Sequence, residues 1–122
     1  MDQKSNLLEE LNKYEILEND WNGYGISKPS LISINKIRDL INYIHHYNHL
    51  ILQYSNVMIP DDNDISLYWK LDDLYIEIGY SSDSDYNAYY VLIKTEDYYA
   101  NLDAVKNIKE IPLNIIYKCI CY

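Results

Sequence analysis

Ile65-Ser66-Leu67-Tyr68-Trp69-Lys70-Leu71-Asp72-Asp73-Leu74-Tyr75-Ile76-Glu77-Ile78-Gly79 is the run whose reading decides the fold. Ile65, Leu67, Trp69 and Leu71 alternate with Ser66, Tyr68, Lys70 and Asp72, and then Leu74, Ile76 and Ile78 alternate with Tyr75, Glu77 and Gly79. Successive side chains of a strand point to opposite faces, so a period of two marks two half-buried strands. Only Asp72 and Asp73 separate them. An antiparallel hairpin is therefore the economical connection, although Asp-Asp is a poorer turn pair than Asp-Gly. One face of the hairpin is apolar and carries Trp69, in phase with Ile65 and Leu67. The other is polar, with Tyr68, Tyr75 and Glu77.

Downstream, the polar loop from Ser81 to Asn87 leads to a third strand, Ala88 to Lys94, which adds Tyr89 or Tyr90 to the polar face. Leu102 to Glu110 reads as a short helix ending before Pro112. Leu113 to Cys121 is an apolar strand or helix that periodicity does not separate, and the fold assignment takes it as a strand. Upstream, Asn6 and Glu9 have capping-box spacing, and Leu7, Leu11 and Tyr14, with Leu8 and Leu17, form a helical stripe over 6–19. That helix stops where Asn19, Asn22, Gly23 and Gly25 mark a turn around Trp21 and Tyr24. Ser30 after Pro29 caps a second and longest helix, lined by Leu31, Ile34, Ile37, Ile41 and Ile44. The expectation is a single α+β domain over 1–122: two N-terminal helices packed on an antiparallel sheet of three to four strands, then a C-terminal short helix and strand.

Composition agrees with one domain, since 122 residues with 48% apolar content supply one core and not two. No run approaches the roughly 20 apolar residues of a membrane span, and the N-terminus lacks the order of a secretory signal. A cytoplasmic location with no membrane partner is expected. Cys119 and Cys121 are too close in sequence for a relaxed disulfide with each other. There are fifteen Tyr and no Phe, so much of the aromatic surface carries hydroxyls. Such rings belong at core edges or at the surface, where they are good binding material.

The formal charge of −9 is unevenly placed. Residues 61–103 hold eleven acids (Asp61, Asp62, Asp64, Asp72, Asp73, Glu77, Asp83, Asp85, Glu96, Asp97 and Asp103) against Lys70 and Lys94, which is the whole of the net charge. The flanking segments cancel. Direct nucleic-acid binding is disfavoured, because phosphate contacts need clustered Lys and Arg.

Motifs that would carry chemistry are weak. His45 and His49 are four apart, as metal ligands on a helix are, but His46 stands where an H-E-x-x-H hydrolase needs glutamate and no third ligand is evident. Cys119 and Cys121 would share one side of a strand, yet zinc sites space cysteines as C-x2-4-C. Asp61, Asp62 and Asp64 lack the turn glycine and the terminal Glu of a calcium loop. Asp72 with Asp73 and Asp83 with Asp85 lie at loop tips, without the burial that raises a carboxyl pKa for acid catalysis. No nucleophile elbow, phosphate-cradling glycine loop or dinucleotide fingerprint occurs, and three glycines leave little room for close phosphate approach.

Trp21-Asn22-Gly23-Tyr24-Gly25, then Pro29-Ser30 opening a helix, then Asp64-Ile65-Ser66-Leu67-Tyr68-Trp69 before a hairpin, resembles a group of small bacterial and mobile-element proteins. Their pattern is W-D-G-Y-G-A, a P-x-S helix start and a G-x-I-x-L-E-W strand. The similarity spans about residues 7–95 and departs from the pattern at Asn22, Ile26 and Tyr68. It implies a fold and a mobile-genetic context, and no activity.

The leading expectation is a non-enzymatic acidic binding or inhibitor protein without cofactor. It would occupy a basic, nucleic-acid-binding surface of a host protein or nucleoprotein, as anti-CRISPR proteins do. Its binding residues would be Asp61, Asp62, Asp64, Tyr68, Tyr75, Glu77, Asp83, Asp85, Tyr86 and Tyr90. The alternatives are a metal-binding protein or metal-dependent enzyme built on His45 and His49, with Cys119 and Cys121, and an antitoxin-like interaction protein that forms a homodimer through its tyrosine-rich sheet.

Overall fold

A computed structural model describes residues 2–16, 29–59, 64–81 and 87–121. Among these, three helices accompany one sheet of five antiparallel strands in the order β1-β2-β3-β4-β5, an uninterrupted meander. The α+β class is as expected. The sheet has five strands where three to four were expected, and at the C-terminal end a strand precedes a helix where a short helix followed by a strand was expected.

Helix α1 is Gln3–Glu15, one turn earlier than the capping-box reading, because the Asp2 side chain caps it by accepting from Ser5 N (2.8 Å). Leu7 and Leu11 are buried as their spacing requires. Helix α2, Leu31–Asn48, is capped by Ser30 Oγ, which accepts from Ser33 N. Ile34, Ile37, Ile41 and Ile44 face the core together with Leu40, whereas Leu31, in the first turn, is 60% exposed. Arg38 ties the two helices by donating to Glu15, and to Asn12 Oδ1 at 2.6 Å.

After a 3-10 turn at His49–Leu52, strand β1 is Ser55–Met58, which the sequence pattern did not reveal. Strands β2, Ile65–Leu71, and β3, Leu74–Ser81, form the expected hairpin, with Leu71 paired to Leu74 and Asp72 in the left-handed region at φ 49°. Strand β4 is Ala88–Lys94. The expected helix over 102–110 is instead strand β5, Tyr99–Val105, followed by a single 3-10 turn at Ile108–Glu110. Between Tyr89 and Val91 the β4–β5 register shifts by one residue, and Ala104 beside it has φ 57°. A bulge with its extra residue in the left-handed conformation accounts for both.

Leu113–Cys121, assigned above as a strand, is helix α3. Leu113 and Ile116 are buried, with Tyr117 and Ile120 partly buried beside them, a spacing of three, four and seven that only a helix turns to one side.

The core lies between the helices and one sheet face. Trp69 is fully buried there with Ile65, Leu67, Ile76 and Ile78, and its indole N–H donates to Ile51 O at 2.7 Å. Tyr89 also points inward, its hydroxyl donating to Lys36 O at 2.8 Å. No described helix is long and apolar enough to cross a membrane.

Candidate functional site

The face of β2, β3 and β4 turned away from Trp69 follows from register alone. Ser66, Gly79 and Tyr90 form one cross-strand row, Tyr68, Glu77 and Leu92 the next, and Lys70, Tyr75 and Lys94 the third. Glu77 stands at the centre. Its carboxylate accepts from Tyr75 Oη at 2.6 Å through one oxygen and from Tyr90 Oη at 2.5 Å through the other. Hydrogen bonds to an ionised acceptor are short and about twice as strong as neutral ones. The Tyr68 and Tyr75 rings are near-parallel, with centroids 6.4 Å apart.

Gly79 makes this arrangement possible. Tyr90 reaches Glu77 by crossing strand β3 directly over Gly79, where a Cβ would lie 2.3 Å from Tyr90 Cζ. The Ser66 hydroxyl is buried beside Tyr90. Burial pushes the Tyr90 and Tyr75 hydroxyls well above the ordinary phenol value, and the bonds to Glu77 push them further. Both phenols therefore stay protonated as donors. What the cluster offers is a fixed set of rings and hydroxyls around one carboxylate.

Of the residues expected to bind a partner, Tyr68, Tyr75, Glu77 and Tyr90 lie on this face together. Asp64 precedes β2 and contributes weakly to raising Tyr90. Asp61, Asp62, Asp83, Asp85 and Tyr86 lie outside the described residues, as does the Trp21–Gly25 segment. Sequence reasoning did not single out Gly79 or Ser66, nor Lys70 and Lys94, which flank Tyr75 across the strands. The alternation that placed Tyr75 on this face also places both lysines there. At the Tyr75 end the two lysines share a groove with Asp72, Asp73 and Glu96, and Asp64 lies near the Tyr90 end.

The metal alternative gains no further ligands. The His45 and His49 rings are 6.1 Å apart, and no group of three or more His, Cys, Asp or Glu side chains gathers among the described residues. Cys119 and Cys121 are free thiols on α3, where residues two apart diverge around the axis and do not share a side. No protein-family model, no curated protein and no solved structure matches the chain.

Proposed function

We propose that the protein is a non-enzymatic binding protein that occupies a basic, nucleic-acid-binding surface of another protein with its tyrosine-lined sheet face, which is carried by the acid-rich segment 61–103. The observation that carries this reading is Glu77 held between the Tyr75 and Tyr90 hydroxyls, with Tyr68 stacked alongside. Aromatic side chains already fixed before encounter lose little entropy on binding, and Tyr is enriched among the residues that dominate interface energetics. The charge of residues 61–103 supports a basic partner through steering. The resemblance to mobile-element proteins suggests inhibition of a host nucleic-acid-directed enzyme, in the manner of anti-CRISPR proteins.

The test is capture of partners from a native host with the full chain, followed by competition. A captured partner should release the protein when its nucleic acid is added, and association should slow as salt screens charge beyond a Debye length of about 8 Å. Tyr68→Ala should speed dissociation. A partner that binds nucleic acid and this protein together, with rates indifferent to salt, would refute the reading.

A further inference from the structure

The two edges of the sheet differ. At β1, side chains of α1 take the backbone carbonyls: Gln3 Nε2 donates to Ser55 O at 2.6 Å and Tyr14 Oη to Val57 O at 3.3 Å. At β5 no described element covers the outer side, and Tyr99 and Leu102 are 63% and 46% exposed. Thr95 N–H donates to Tyr98 O at 2.8 Å where the β4–β5 hairpin closes. In an antiparallel ladder bonded pairs alternate, so from that bond Ala100 and Leu102 turn their amides toward β4. Tyr99 and Asn101 therefore turn theirs outward. An edge of unpaired N–H and C=O groups is a template for another strand.

We infer that the outer edge of β5 pairs antiparallel with β5 of a second copy, centred on Asn101. The self-complementarity of this stretch points to a copy as the occupant. The bulge at Ala104 ends the regular strand, leaving Tyr99 to Asp103, which is symmetric about Asn101. Asn101 then faces its own counterpart and exchanges both backbone hydrogen bonds with it. Tyr99 sits opposite Asp103, a phenol donor across from a carboxylate. Leu102 sits opposite Ala100, which gives its exposed side chain an apolar neighbour. Just beyond Asp103, Lys106 of one copy arrives beside the Glu96 and Asp97 turn of the other. The Lys106 ammonium donates to Asn87 O and keeps two further protons for such a carboxylate. A parallel arrangement would set Asp103 against Asp103 and Lys106 against Lys106. Five paired residues and a like net charge on both copies make this a weak dimer.

Sedimentation velocity from about 5 to about 500 µM spans the range in which small interfaces dissociate. The expected result is reversible dimerisation that Asn101→Pro abolishes. Proline removes one outward N–H and is tolerated on an edge strand, so the melting temperature of that variant should match wild type at concentrations where both are monomers. Lys106→Glu should weaken the dimer by roughly 3–10-fold, and so should Glu96→Lys with Asp97→Lys, as exposed cross-strand charge pairs do. Combining the three substitutions in one chain should restore it. A monomer throughout the range, a dimer that survives Asn101→Pro in a folded chain, or a combined variant no tighter than its parents would overturn the inference.

Discussion

Replacing Gly79 by Ala should destabilise the protein, although Ala is ordinarily the better residue in a strand. The gain from Ala comes from the lower entropy of its unfolded chain and is about 0.5–1 kcal/mol. Against it, the new Cβ would lie 2.3, 2.4 and 2.5 Å from Tyr90 Cζ, Oη and Cε1, so the ring must leave its place over β3. Leaving costs the Tyr90 bond to Glu77, and a hydrogen bond to a charged group contributes about 1.5–3 kcal/mol. The balance is a loss of about 1–2 kcal/mol. Urea denaturation should show a lower midpoint at unchanged slope. The decisive measurement is a double-mutant cycle. In a Tyr90→Ala background there is no ring to displace, so Gly79→Ala should change sign and stabilise. If Gly79→Ala stabilised the wild type, or destabilised both backgrounds equally, the account of Tyr90 crossing Gly79 would be wrong.

Trp69→Ala should cost about 3–5 kcal/mol in denaturant unfolding, because it empties a fully buried site and orphans Ile51 O; a loss near zero would misplace the strand phase. Ala104→Gly should stabilise by about 0.5–1 kcal/mol, since a left-handed φ of 57° is strained for any residue with a Cβ; equal or lower thermal stability would remove the bulge strain. The phenols of Tyr75, Tyr89 and Tyr90 are held above the ordinary value of 10.0, so their contribution to stability is complete below that pH and is lost as pH rises above it. Unfolding free energy measured from pH 8 to 12 should fall at the alkaline end, and Tyr90→Phe should make the fall shallower; an unchanged slope would contradict the burial of that hydroxyl.

The period-two run from Ile65 to Gly79 carried the hairpin, the burial of Trp69 and the shared face of Tyr68, Tyr75 and Glu77, because alternation directly encodes which side a residue faces. Tyr90 was one of two candidates, and only the register to Gly79 separates it from the inward Tyr89. Strand β1 was invisible because four residues hold too few alternations to stand out, and its place is fixed by pairing to β2 and by α1. Strand β5 was mistaken for a helix because Leu102, Val105 and Ile108 recur every three residues, a spacing produced here by a bulge and a turn. The contact between Gly79 and Tyr90 joins residues eleven apart that become neighbours only across two strands, so no local pattern announces it. Helix α3 could have been separated from a strand by weighing Leu113, Ile116, Tyr117 and Ile120 as a set.

The bonds from Gln3 and Tyr14 to the carbonyls of β1 bear on how far any assembly of this chain can extend. A sheet open on both sides adds copies at either end and grows without limit, which is the geometry of fibres. Here one margin is shut by the chain's own first helix. Whatever strand docks on β5, when it belongs to another copy, brings with it a second margin already shut. In such a pair the sheet would reach ten strands and stop, so a chain rich in Ile and Tyr would be kept from running on into a fibril by two side chains at the opposite end of the sheet. Gln3→Ala combined with Tyr14→Phe would reopen that margin and is the change most apt to turn a finite dimer into a polymer.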